Sequence, residues 1–434
     1  MRSMAGAAAA LLVLLAVGAV QVADAQSTMF AGIQGVVISK SDDAWALRSA
    51  AGAVYRLHAQ PRDASGALVD AGATVVLDLN CATPAGGDDW SWECGATGAA
   101  TVALPAPAVA TTGRTLALLT LVIAFNGTCT NPGANATLVD QAIERIGGYA
   151  DNLKACSYGQ MQVNKTTSKT VSVVLNCTAA LLACDEDALA AAATAAAERR
   201  GVVVSAHTNL AFVLPAGLTA ACNWTGGVAE LPGRRSWFSP DAQGIFSRGT
   251  HMQKLLNNFG LYSAWRNGVE GDDASSSQGK GFACPSAPEL WRLRWAQPGA
   301  VLAAAGLPVG VWKGAYELSV TYVTSRNMIK IVPDWLGTAY TQNLYFALRG
   351  KGGGDRDLLN DFDRKVSYHT VSKDLDQQLG TAEGDPRVTL VGRLFPGTTS
   401  LLSTYRLVVA VGALTGEVKV SVLVCRYALS PSEW

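Results

Sequence analysis

Along residues 31–110 the apolar positions come in short β-branched runs: GVVISK (35–40), WALRSA (45–50), VYRLHAQ (54–60) and TVVLDL (74–79), punctuated by Gly, Asp and Ala-Gly. Runs of this length bounded by turn residues predict strands. LPAPAVATTG (104–113) interrupts them as a Pro/Ala linker. From Thr115 the period changes. A continuous apolar run at 115–125 predicts a buried strand, 138–154 a helix, 160–163 and 170–176 strands, and 185–200 a second helix. That helix is marked at both ends. Asp185, Glu186 and Asp187 sit where the helix dipole is positive, Arg199 and Arg200 where it is negative, and Gly201 can take the left-handed cap. GVVVSAH (201–207) and LAFVL (210–214) continue as predicted strands. Beyond Ala300 the pattern is β again, in six runs from ELSVTYV (317–323) to KVSVLVCRY (419–427).

Between these regions lies GTHMQKLLNNFGLYSAW (249–265). Thr250 and Gln253 read as a capping box that starts a helix. Met252, Leu255, Leu256 and Phe259 recur at helical spacing and predict one buried stripe, and Gly260 suits the left-handed residue that ends it. Gln253 and Asn257 lie one turn apart on another face. Of the four histidines, 58, 207, 251 and 369, none forms an i, i+4 pair. His207 and His369 read as isolated residues, and His251, beside the helix start, as solvent-facing. Ser275, Ser276 and Ser277 lack a nucleophile elbow and read as a turn. Glu270, Asp272 and Asp273 read as a solvated acidic loop. GKGGGDR (350–356) lacks phosphate-loop spacing, and Asp355, Asp357 and Asp361 lack that of a calcium loop.

Formal net charge is zero, which gives no footing to a nucleic-acid partner. Arg2, the apolar run from Ala7 to Val20 and Ala23-Asp24-Ala25 form a signal peptide with its cleavage site, so the mature chain is expected to begin near Gln26 without a membrane anchor. An oxidising compartment then predicts up to four disulfides from nine cysteines, with one left over. Cys81 with Cys94 and Cys177 with Cys184 are the expected local pairs. Sequons at Asn126, Asn135, Asn164, Asn176 and Asn223 predict N-glycans over the middle of the chain.

The segment 249–265 resembles the active-site helix of the gametolysin family (peptidase M11, secreted matrix-degrading metalloproteases of volvocine green algae). It keeps Thr250, Met252, Asn258, Gly260, Leu261 and Ala264 of that family's T-x-M-[QH]-E-x-x-H-N-x-G-L-x-H-[AS] pattern. ACSYGQM (155–161), LPGRRSWF (231–238), CPSAPELWRLRW (284–295) and the stretch 332–358 are similar to further family segments. The resemblance covers roughly residues 115–430. It implies an α/β (α+β) fold: a metzincin-like mixed sheet with the active-site helix, flanked by N-terminal and C-terminal β-rich regions. The divisions it suggests are a signal peptide (1–25), a β-rich pro-segment-like domain (26–112), the peptidase-like domain (113–300) and a C-terminal β-rich region (301–434). Trp291, Leu293 and Trp295 are expected as strand or packing residues against the helix.

At the positions that carry chemistry the chain departs from the family. Gln253 is a tolerated first-ligand variant, but Lys254 replaces the general-base Glu, Asn257 the second His and Ser263 the third. Gln278 stands where the Met-turn has methionine. Neutral amides and a hydroxyl are poor zinc ligands. An ammonium beside the dication repels it and accepts no proton from water. No catalytic or metal-ligand set is intact, and no cofactor is expected. The sequence therefore reads as a secreted, catalytically inactive pseudo-metalloprotease of the cell wall or extracellular matrix, with matrix glycoproteins or protease substrates as partners. The alternative is an active metalloendopeptidase that degrades matrix glycoproteins with zinc or another divalent metal.

Overall fold

The structure, a computed structural model, describes residues 27–41, 44–82, 91–377, 379 and 384–433. The signal segment 1–25 lies outside them. Ser27–Ser41 is long enough to pair with Ala44–Ser49 through its second half and antiparallel with Thr74–Ala82 through its first. With Val54–Leu57 and Ser91–Ala96 between those partners, the strands close into a ring, and Thr101–Leu104 attaches outside it. Leu47, Val75, Leu77 and Leu79 fill the ring with the Cys81–Cys94 disulfide, the expected local pair.

A five-stranded sheet follows, in the order Lys169–Asn176, Leu118–Asn126, Asn209–Val213, Arg235–Phe238, Gly227–Ala229. The first four strands are parallel and the last is antiparallel. Alternation divides Leu118–Asn126 between two cores, as in a sheet covered on both faces. Leu119, Leu121, Ile123 and Phe125 meet the alanine-rich helix. Leu118 and Val122 face the layer built from the other helices. In chain order the helices are α1 (Ala136–Glu144), α2 (Tyr149–Cys156), α3 (Ala179–Leu182), α4 (Glu186–Arg199), α5 (Ala216–Ala221), α6 (Arg248–Asn257) and α7 (Ala287–Arg292). In α4 the Asp185 carboxylate accepts from the amides of Asp187 and Ala188, and Gly201 follows at φ +81° as expected.

Three local expectations are corrected. The 138–154 stretch is two helices, because the chain turns at Gly147 (φ +70°) and the Gly148 amide donates to the Arg145 carbonyl. GVVVSAH makes no strand; Val204–Ala206 is a short 3-10 turn. CPSAPELWRLRW carries α7 rather than a strand, with Pro288 in its first turn, while Leu293 and Trp295 do pack in the same core as Leu256 and Phe259.

The rest is a β-sandwich. A seven-stranded sheet runs from Val269–Glu270 through Trp265–Arg266, Thr389–Leu394, Lys365–Ser372, Gln342–Arg349 and Arg326–Ile331 to Gln297–Leu302. A four-stranded sheet of Lys313–Ser319, Lys419–Arg426, Leu407–Val411 and Thr399–Leu402 packs on it. Leu344, Phe346 and Leu348 point into the sandwich, while Tyr345 and Ala347 face the core that holds α6. The architecture is α+β and strand-rich.

The expected Cys177–Cys184 bridge does not form. Cys177 follows Asn176, which stands in register with Asn126, so Cys129 is the sulfur beside it. Cys184, beyond α3, is carried instead to the end of α5 and pairs with Cys222. The fourth bridge, Cys156–Cys284, ties α2 to the segment before α7, and Cys425 remains a buried thiol. Asn126, Asn135, Asn176 and Asn223 are exposed and Asn164 is half-buried.

Candidate functional site

α6 starts earlier than its sequence suggests. Ser247, not Thr250, is the cap: its hydroxyl accepts from the Thr250 amide at 3.2 Å. Thr250 Oγ1 instead donates to the Gln243 carbonyl at 2.7 Å. Met252, Leu255, Leu256 and Phe259 are all buried, as the stripe requires. The helix stops at Gly260, whose φ of +83° a side chain would strain. Asn258 then locks its end to the sheet. Its Nδ2 donates to the Glu230 and Arg235 carbonyls, both at 3.0 Å, and its Oδ1 accepts from Asn209 Nδ2 and Ser236 Oγ, both at 3.2 Å.

The side chains at two of the family ligand positions are spent on backbone oxygens. Gln253 Nε2 donates to the Gln278 carbonyl at 2.8 Å, and the amide of Ala264, next to Ser263, donates to the same oxygen at 2.9 Å. Asn257 Nδ2 turns back onto the Leu261 carbonyl at 2.6 Å. Lys254 lies partly buried beneath Gly227 of the antiparallel edge strand. Burial pushes its pKa down to about 8, against a smaller opposing pull from Glu270. Gln278 is fully buried, and neither Oε1 nor Nε2 of its side chain has a hydrogen-bond partner.

Below this lies the 273–279 turn, and here sequence reasoning missed most. Asp273, Ser275, Ser276 and Ser277 are buried rather than solvated, because α7 and the Lys365–Ser372 strand close over them. His369 is not isolated: its Nε2 lies 3.0 Å from Asp273 Oδ2 and 3.4 Å from Ser275 Oγ. Burial raises the Asp273 carboxyl, but His369 and the Ser275 hydrogen bonds together outweigh it and hold it below its ordinary range. Ser276 Oγ donates to Glu289 Oε2 at 2.5 Å, and burial, then Asp273, raises the Glu289 pKa. A serine, a histidine and an aspartate thus meet, but not as a catalytic triad. A triad uses both ring nitrogens. Here both partners sit on Nε2, Nδ1 has none, and all three side chains are buried.

His251 is also corrected. It is buried between Tyr149 and Phe238, with ring centroids at 4.6 and 5.8 Å. Burial pulls its pKa from 6.5 down to about 4, so it is neutral at physiological pH.

A second polar cluster that the sequence did not announce joins the N-terminal ring to the core. Lys40 bridges Glu186 and Asp187, while Arg48 and Arg235 converge on the buried Glu230. Arg235 also reaches Asp187 and stacks over Trp237. Burial raises the Asp187 pKa, yet Lys40 and Arg235 outweigh it and hold the carboxyl at about 2.

Among the described residues, no group of three His, Cys, Asp or Glu side chains could hold a metal. The donor set at 253, 257 and 263 does not suit zinc. Two amides already donate to backbone carbonyls, the third group is a hydroxyl, and an ammonium stands between them in sequence.

The helix, edge strand and turn all lie within residues 119–392, which the gametolysin peptidase M11 family matches, and the chain belongs to that family. The chain is similar to the autolysin of Chlamydomonas reinhardtii, with 28% identity over 196 residues, 37% of this chain. The match spans 30% of that autolysin's length.

Proposed function

We propose that this chain is a secreted, glycosylated member of its family that holds matrix glycoproteins or protease substrates without hydrolysing them, on a metzincin-like scaffold. The observation that carries this is the state of the ligand positions. Gln253 and Asn257 direct their amide hydrogens onto backbone carbonyls, and the general-base position holds a cationic side chain. Hydrolysis by a metal-bound water needs several ligands and a proton acceptor. Neither requirement is met by these residue types. The strand Gly227–Ala229 ends its sheet beside α6, so an extended peptide can add to its open edge without being cut. Four disulfides fit an oxidising exterior. Among the described residues no helix is long and apolar enough to cross a membrane.

The test is metal stoichiometry and casein or gelatin cleavage across a reversion series. Lys254→Glu alone is expected to restore nothing. Asn257→His with Ser263→His raises metal affinity with little hydrolysis. The triple variant cleaves above background, with Gln278→Met added where the site needs seating. Chelator-sensitive cleavage by the unmodified protein would overturn the proposal in favour of an active endopeptidase, the reading that family membership alone favours.

A further inference from the structure

A buried arginine beyond the end of α6 makes no direct ion pair among the described residues. Arg292 closes α7 and is only 4% exposed, yet Nε and Nη1 of its guanidinium are buried without a hydrogen-bond partner. Burial pulls its pKa down, against an opposing attraction from Asp385, Tyr262, Asp376 and Glu289. Other buried cations of this protein are matched directly: Arg349 with Asp355 at 2.8 Å, Arg235 with Glu230 at 2.7 Å. An unpaired guanidinium in the interior is an unfavourable arrangement that an anion relieves.

The space for one exists. Arg292 lines a pocket of about 40 Å³ where the N-terminal ring, the linker and the end of α6 meet. Pro107 and Val109 of the linker and Phe259 of the helix end supply apolar walls, with Tyr262 at their side. A water needs roughly 10–15 Å³ by this measure, so the pocket takes a group of about three heavy atoms. A planar guanidinium matches a carboxylate in size and geometry. Phosphate, a tetrahedral dianion with more heavy atoms than a carboxylate, exceeds that volume.

We propose that the Arg292 pocket binds a carboxylate carried at the end of a small apolar body, either a free monocarboxylic acid or the terminal carboxylate of a peptide. Carboxylate oxygens accept from Nη2, the one guanidinium nitrogen not enclosed like Nε and Nη1, and the attached apolar group rests against Pro107, Val109 and Phe259. The residues involved are none of the family ligand positions, so binding here stands whether or not position 254 supports hydrolysis.

The experiment is calorimetric titration of the full chain at constant ionic strength. Its arms are acetate, an N-acetylated tripeptide ending in phenylalanine as the free acid, the same peptide as the amide, and inorganic phosphate. The proposal expects binding by acetate, by the free-acid peptide or by both, at least tenfold weaker binding by the amide and by phosphate, and at least tenfold loss in Arg292→Gln. Acetate alone identifies the ligand as a free acid, and the peptide acid binding more tightly identifies a chain terminus. Ala106→Trp fills the pocket from the linker while leaving Arg292 in place, and is expected to abolish binding in a folded protein even where Arg292→Gln does not fold. Absence of carboxylate binding overturns the proposal. So does equal binding of acid and amide, or binding that survives in Ala106→Trp.

Discussion

The burial of His251 makes a quantitative prediction about acid stability. In the unfolded chain its imidazole titrates near the ordinary 6.5; in the fold burial holds it at about 4. Between these values the unfolded chain binds the extra proton and the native state does not, so stability rises with pH across the window and is lost as pH falls from 6.5 towards 4. At about 1.4 kcal/mol for each tenfold change in acidity the full effect is about 3 kcal/mol, of which about 2.5 kcal/mol falls between pH 7.5 and pH 4.5. His251→Phe keeps a ring between Tyr149 and Phe238 and removes the titration. Urea unfolding of both proteins at the two pH values isolates the term, because Glu289 and Asp273 titrate in both and cancel in the difference. Wild type should lose about 2.5 kcal/mol more than the variant on acidification. Identical pH dependence in the two proteins would refute the assignment of a buried, neutral His251.

Leu256, fully buried in the α6 core, should destabilise the protein by about 2–5 kcal/mol when cut to Ala. A chelator should leave the melting temperature of the unmodified protein nearly unchanged, and a large fall would mean that metal contributes to the fold. Glu230→Gln leaves Arg48 and Arg235 facing a neutral amide in a buried site, and is expected to cost about 3–5 kcal/mol and to expose the 104–113 linker to limited proteolysis. Sequon glycans predict a secreted band that shortens on enzymatic deglycosylation; a single unshifted intracellular band contradicts both the glycans and the export.

Where sequence was informative, local physics and tertiary packing asked for the same residue. The acidic start, basic end and terminal glycine of α4, the stripe of α6 and Gly260 all belong to this kind. It misled where one local solution competed with another. Thr250 and Gln253 have capping-box spacing, but Ser247 reaches the orphan amides first and leaves Gln253 to serve the Gln278 carbonyl. The polar run 273–278 looks solvated, and only the closure of α7 and the Lys365–Ser372 strand buries it. The disulfides of Cys129 and Cys222 follow from strand register and helix placement, which no cysteine spacing encodes. Glu230 and Arg292 went unnoticed for the same reason: a charge becomes informative through what surrounds it. One available signal was overlooked, the Ser286-Ala287-Pro288-Glu289 start of α7, where Pro288 sits in the first turn and the Glu289 carboxylate accepts from the Ser286 amide at 2.5 Å.

The substitutions at the family ligand positions also predict what restoring them does to an unloaded protein. In the reading proposed here, bonds that a metal would make between α6 and the following loop are replaced by two amide–carbonyl hydrogen bonds, Gln253 to Gln278 and Asn257 to Leu261. Each is worth about 1 kcal/mol net, far less than a coordinated zinc ion. The segment keeps its shape because the apolar stripe, the four bonds of Asn258 and the Cys156–Cys284 bridge hold it independently. Asn257→His removes the donor that now satisfies the buried Leu261 carbonyl, and an unsatisfied buried group costs about 1–3 kcal/mol. The Asn257→His, Ser263→His protein should therefore melt below wild type when metal-free and recover, or exceed it, on zinc addition. Wild type should show neither change. A reverted protein as stable as wild type without metal, and indifferent to zinc, would mean that these positions no longer converge on one point and that the slot has been lost along with its ligands.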